Sequence, residues 1–181
     1  LNQTYPNQHF TLLKYAIGGA SLLDWAPNYS KEKAKITGNA QFGNMYAKLF
    51  QKIKNLKEKE IQPTAFLWMQ GERDARIPEA GKDYYENFKQ LILALRKDLG
   101  QPDLPFIFGM VNPPAERYAA LETVRNAQRQ IAKELPNIYI VETDDLQFNI
   151  DSYTKDICID YGSCFTFTYF DSYGDGICCQ Y

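Results

Sequence analysis

Three amphipathic helical stripes alternate with short runs that are apolar on both faces, and few folds accommodate that alternation. From Phe42 the apolar residues Met45, Tyr46, Leu49, Phe50, Ile53 and Leu56 recur at helical spacing, with Lys48, Lys52, Lys54, Lys57 and Glu58 opposite them. A second stripe runs Tyr84, Tyr85, Phe88, Leu91, Ile92, Leu95 and Leu99, and Gly100 and Pro102 stop it. A third runs Leu121, Val124, Ile131 and Leu135, ended by Pro136. Around these lie four apolar runs, Thr11 to Ile17, Thr64 to Met69, Phe106 to Val111 and Ile138 to Val141. Runs apolar on both faces suit strands covered on both sides. Strands alternating with helices of this length indicate an α/β fold with a parallel sheet and right-handed crossovers.

After about residue 150 the texture changes. Phe165-Thr166-Phe167-Thr168-Tyr169-Phe170 alternates at period two, and Gly174-Asp175-Gly176 follows as a turn. The expected organisation is an α/β domain over 1–150 and a small cysteine-containing β module over 151–181. The four cysteines, Cys158, Cys164, Cys178 and Cys179, all fall in this last part. An even, clustered set reads as a local disulfide framework, and so as a secreted or extracellular protein. Adjacent Cys178 and Cys179 strain a mutual bridge, which leaves Cys158 paired with one of them and Cys164 with the other. The glycosylation sequons at Asn2 and Asn28 agree with secretion. A zinc site lacks any C-x2-C pair or nearby histidine. Asp171 and Asp175 flank a glycine turn without the acidic density of a calcium loop. No metal and no cofactor is expected. The charge of −2 gives no reason to expect nucleic acid as a partner, and no apolar run is long enough to span a membrane.

In open α/β sheets the chemistry sits beyond the carboxyl ends of the strands. Those ends read Gly18-Gly19-Ala20-Ser21, Gln70-Gly71-Glu72-Arg73-Asp74, Asn112-Pro113-Pro114 and Glu142-Thr143-Asp144-Asp145. Glycines after a buried strand free backbone N–H groups to face an oxyanion, a neighbouring Gln adds a donor, and Glu72 could orient a base or a substrate hydroxyl.

Lys14-Tyr15-Ala16-Ile17-Gly18-Gly19-Ala20-Ser21-Leu22, with Trp25 after it, resembles the second block of the SGNH (GDSL-type) hydrolases. Trp68-Met69-Gln70-Gly71-Glu72-Arg73-Asp74-Ala75 resembles the third block, W-x-Q-G-E-x-D-A, of their sialate O-acetylesterase-like branch, which includes carbohydrate esterase family six. Val124-Arg125-Asn126-Ala127-Gln128 is similar to that branch's helical R-x-x-Q, and Ile140 to Leu146 to the stretch before its last catalytic block. The resemblance implies a flavodoxin-like three-layer α/β/α parallel sheet that hydrolyses O-acetyl esters on carbohydrates with a serine nucleophile and no metal. It implies oxyanion donors at Gly18, Gly19 and Gln70, and a catalytic acid at Glu72 or Asp151.

The sequence departs from this pattern at two blocks. Nothing in residues 1–10 matches the G-Q-S-N-type nucleophile block, and Thr154 stands where the histidine of a late D-x-x-H would fall. His9, the only histidine, precedes the second block, and Ser21 has no histidine near it in the expected fold. In the family's sheet order, 2-1-3-4-5, the strand ending at Gly18 is second and the next is third, so the fold is expected to lack its first strand. The chain, which begins at Leu1, is thus expected to be partial and inactive alone. The alternatives are a non-catalytic glycan-binding relative and an extracellular surface or matrix protein.

Overall fold

The computed structural model describes residues 7, 10–57 and 62–144, and the backbone of two later strands. Its sheet has three parallel strands in the order β1 (Phe66–Trp68), β2 (Phe106–Gly109) and β3 (Ile138–Val141). Phe66 pairs with Phe106 and Phe106 with Ile138, so the three runs enter in step. The stripes become α2 (Met45–Lys57), α5 (Tyr84–Leu99) and α6 (Leu121–Glu134). The first stripe begins three residues later than its apolar pattern, because the Asn44 side chain accepts the Ala47 N–H and caps the helix there. Three short helices were not evident in the sequence: α1 (Lys31–Ala34), α3 (Glu72–Arg76) and α4 (Pro78–Lys82). Ile77 is extended because Pro78 follows it, and this separates α3 from α4.

Phe88 of α5 lies against Trp68, Phe106 and Phe108, with ring centroids 5.1–6.0 Å apart, so α5 covers the face of the sheet that carries those rings. Tyr46 of α2 donates to Asp98 of α5 at 2.6 Å, and α6 packs beside α5. The three long helices thus form one layer. Beneath them Tyr84, Phe88, Leu91, Ile92 and Leu95 are fully buried. At the amino ends of the strands, buried Arg96 donates to the carbonyls of Leu104 and Pro136 and holds the approaches to β2 and β3 together.

Thr11 to Ile17, expected to be a strand, forms no ladder. Among the described residues no strand pairs with it or with the outer edge of β1, and an extended segment without a partner is not a strand, however apolar. Leu12 is 79% exposed and Leu67 of β1 is 50% exposed, whereas Ile107 on the neighbouring strand is 3% exposed.

The later strands, β4 (Ser152–Ile159) and β5 (Ser163–Phe170), form an antiparallel pair, so the period-two run is a strand as expected and has a partner that the sequence reading did not identify. Their register sets Cys158 directly across from Cys164. Opposed residues in such a pair have Cα atoms about 4.5–5.5 Å apart, within the span of a disulfide. Cys178, Cys179, Asp151, Thr154's side chain, His9 and Asn2 lie outside the described residues.

Phe88→Ala should cost about 3–5 kcal/mol, because it empties the space under three rings at once. Urea unfolding of the variant would check this, and a loss below about 1 kcal/mol would mean that the layer closes by another route.

Candidate functional site

The turn Ile17-Gly18-Gly19-Ala20 is closed by the Ala20 N–H to the Ile17 carbonyl at 3.4 Å. Gly19 has φ 70°, a left-handed conformation that a side chain disfavours, and the space where a Cβ would point is open. Two side chains hold the turn: the Asn39 amide donates to the Gly19 carbonyl at 2.8 Å, and the Gln70 amide donates to the Ala20 carbonyl at 3.0 Å. The N–H groups of Gly18 and Gly19 donate to no described residue.

Gln70 follows β1 directly and is buried. Its amide nitrogen donates both to Ala20 and to the Asp74 carboxylate, so its two hydrogens are already committed. To contact an oxyanion it would have to give one of them up. Gly71 next to it has φ 145°, and a Cβ there would lie 2.5 Å from Val111 Cγ1, so only glycine lets α3 start this close to the end of β2. Glu72, the first residue of α3, is half-buried, and its charge is felt by the buried Tyr84 hydroxyl.

Two residues on, Asp74 turns inward and is fully buried. It accepts the Leu22 N–H at 3.1 Å and the Gln70 amide. Asp24, also buried, accepts from the Ser21 N–H at 2.8 Å, the Ser21 hydroxyl at 2.9 Å and the Asn39 amide at 3.1 Å. Burial raises both carboxyls above the ordinary value, and Asp74, with the Asp24 charge adding to the effect, is pushed up to about 7. Ser21 is thus a buried ligand of Asp24 and of Thr37 rather than a hydroxyl facing solvent.

A second polar group sits at the ends of β2 and β3. Buried Arg125 of α6 donates to the Val111 carbonyl at 2.9 Å and to Asp144, and Gln128, one turn on, accepts the Val111 N–H at 3.1 Å. The Asn112 amide reaches the Thr143 carbonyl at 3.1 Å. The R-x-x-Q spacing therefore puts two side chains on one helix face, where they hold the strand ends. Beside them opens a cleft of about 540 Å³. Asn28 is exposed in a turn, as a glycosylation acceptor must be. No cluster of metal-ligating side chains occurs among the described residues.

The sequence named the glycines, Gln70 and Glu72; the structure sets the glycine turn against Gln70 at the end of β1, and Glu72 follows as the first residue of α3. It missed Asp24, Asn39 and Thr37, which carry no motif. Asp74 lay inside a noticed motif, but nothing there showed that it points inward.

The raised Asp74 carboxyl has a consequence for stability. Between about pH 4 and 7 the folded chain keeps a proton that the unfolded chain releases, so this group's contribution is full below about 4 and is lost as pH rises through about 7. Asp74→Asn should remove that part of the decline. Urea midpoints of the two proteins at about pH 5 and pH 8 would show it, and parallel profiles would contradict the assignment.

No helix among the described residues is long and apolar enough to cross a membrane. No curated protein matches the chain at a significant level. A solved structure of a protein from Arabidopsis thaliana has a similar fold, with a TM-score of 0.57 and 24% identity, over 72% of this chain and 47% of that one. The chain therefore spans about half the length of that protein. The model of the family described as carbohydrate esterase, sialic acid-specific acetylesterase matches residues 1–163, and the chain belongs to that family.

Proposed function

We propose that the chain carries the oxyanion side of a carbohydrate O-acetyl esterase site, at the Gly18–Gly19 turn. The observation that supports this most is the turn itself. It stands at the end of β1, held by Asn39 and Gln70, and its two N–H groups donate to no described residue. Preorganised backbone donors of this kind stabilise the charge that develops on an ester carbonyl oxygen when a nucleophile attacks. Glu72, two residues after Gln70, is the acid that would orient a base or a sugar hydroxyl, with Asp151 as the other candidate. Gln70 serves by holding the turn in place.

Among the described residues no nucleophile is paired with a base. Ser21 is buried on Asp24, and the described residues include no histidine. That pairing also favours the second reading, a glycan-binding relative that no longer catalyses. On either reading this chain alone should hydrolyse aryl acetates with kcat well under about 1 s⁻¹, since oxyanion and binding effects alone leave only about 10³–10⁴ over water. A small alkyl phosphonate, a tetrahedral anion, should shift the Gly18 and Gly19 amide resonances before any others. Faster turnover would return attention to Ser21 and His9. Phosphonate shifts confined to other residues would remove the turn from the site.

We further propose secretion, supported by the cysteine cluster, the exposed Asn28 sequon and the opposed Cys158 and Cys164. Peptide mapping of the oxidised protein should find Cys158 and Cys164 in disulfides, with each other or with Cys178 and Cys179. Four free thiols would contradict it.

A further inference from the structure

We infer that Asp24 and Asn39 are positioning residues for the Gly18–Gly19 turn, acting with Asp74 and Gln70 as a pair of acid–amide clamps. This inference rests on the oxyanion reading above and adds the residues that aim the donors. The two clamps share one plan, set one residue apart. Asn39 donates to the Gly19 carbonyl at 2.8 Å and to Asp24 at 3.1 Å, and Asp24 accepts the Ser21 N–H at 2.8 Å. Gln70 donates to the Ala20 carbonyl at 3.0 Å and to Asp74, and Asp74 accepts the Leu22 N–H at 3.1 Å. In each, both amide hydrogens are committed, one to a carbonyl of the turn and one to the carboxylate that takes the N–H two residues on.

One residue of a parallel neighbouring strand does the same: its N–H meets a carbonyl and its C=O meets the N–H two residues on. Each clamp therefore supplies with side chains what a ladder would supply with backbone. All four side chains are buried, so a lost contact leaves a polar group that water does not reach. Asn39 reaches the turn from a loop that is itself fixed. Its N–H donates to the Ala34 carbonyl at 3.2 Å, and its carbonyl accepts the Phe42 N–H at 2.8 Å. Arg73 of α3 donates to the Thr37 carbonyl at 2.9 Å and ties that loop to the helix that carries Asp74. The clamps use the carbonyls of Gly19 and Ala20 and the N–H groups of Ser21 and Leu22, and they leave the N–H groups of Gly18 and Gly19 to a ligand. Gly19 holds φ 70°, one of several conformations open to an unrestrained glycine. Donors fixed before the ligand arrives lose less freedom on binding it.

The test uses this chain and reads the turn first and a ligand second, so it can fail independently of the esterase reading. In Asn39→Ala the Gly18 and Gly19 amide resonances should move, and the three-bond HN–Hα couplings of Gly19 should average as in a mobile glycine. Asp24→Ala should do the same, and Asp24→Asn, which keeps an acceptor oxygen for Ser21 and Asn39, should restore the native couplings. Methylphosphonate should bind Asn39→Ala at least about tenfold more weakly than the native chain. Gln128→Ala removes another buried amide, at the ends of β2 and β3, and should lower the urea midpoint while leaving both readouts unchanged. Should Asn39→Ala not fold, Asn39→Ser gives the same comparison, since one hydroxyl hydrogen cannot serve both Gly19 and Asp24. The inference is overturned if the Asn39 variant keeps the native Gly19 couplings, if it binds methylphosphonate as tightly as the native chain, or if Gln128→Ala disturbs the turn as much. A native turn that takes no methylphosphonate would remove the oxyanion reading, and the couplings would still decide whether Asn39 and Asp24 hold the turn.

Discussion

The stretch from Gly18 to Trp25 sits against the end of β1 without one ladder hydrogen bond, and the carboxylate of Asp74 is what fixes it there. Asp74 accepts the Leu22 N–H across 52 residues of sequence and the Gln70 amide within its own motif. Gln70 in turn reaches back to the Ala20 carbonyl. A buried carboxylate is costly unless its lone pairs are filled, so the group that secures this segment also demands that the segment be present. Trp25 adds an apolar contact, with its ring 5.2 Å from Trp68 and 5.6 Å from Tyr15. The glycine turn is placed by side chains where a sheet would ordinarily place it by pairing.

Arg125 and Gln128 solve a related problem at the other strand ends. Parallel strands end in loops whose backbone groups have left the ladder, and those groups need partners if they are buried. Gln128 takes the Val111 N–H and Arg125 takes the Val111 carbonyl, so one residue's two backbone groups are answered from a single helix face. Tyr84 links the two regions, donating to the Gln70 carbonyl at 3.0 Å and receiving the Gln128 amide at 3.4 Å. The apolar layer under α5 fixes distances between strands, and this chain of polar contacts fixes the loops above it.

Much of the fold was legible because its signals are local. The stripes at Met45, Tyr84 and Leu121 repeat at the helical period, and the runs at Phe106 and Ile138 are apolar at successive positions, so each could be read in a window of a dozen residues. The same rule misled at Thr11 to Ile17, where a largely apolar run had the composition of a strand and no partner among the described residues. It passed over α3 and α4, whose five residues each are too few to display a period.

Of the candidate site, the sequence by itself determined which residue types stand at the strand ends: the glycines at 18 and 19, Gln70, Glu72, Arg125 and Gln128. It also determined the α/β class, since periodicity and turn residues are properties of neighbouring positions. Only the tertiary structure decided what those residues do to one another. It committed the Gln70 amide to Ala20 and Asp74, buried Ser21 on Asp24, and turned Asp74 inward while leaving Glu72 half-exposed. The reason is physical: a hydrogen bond is settled by distance and direction in space, and the partners here lie as far apart as Leu22 and Asp74, where no local pattern records that they will meet.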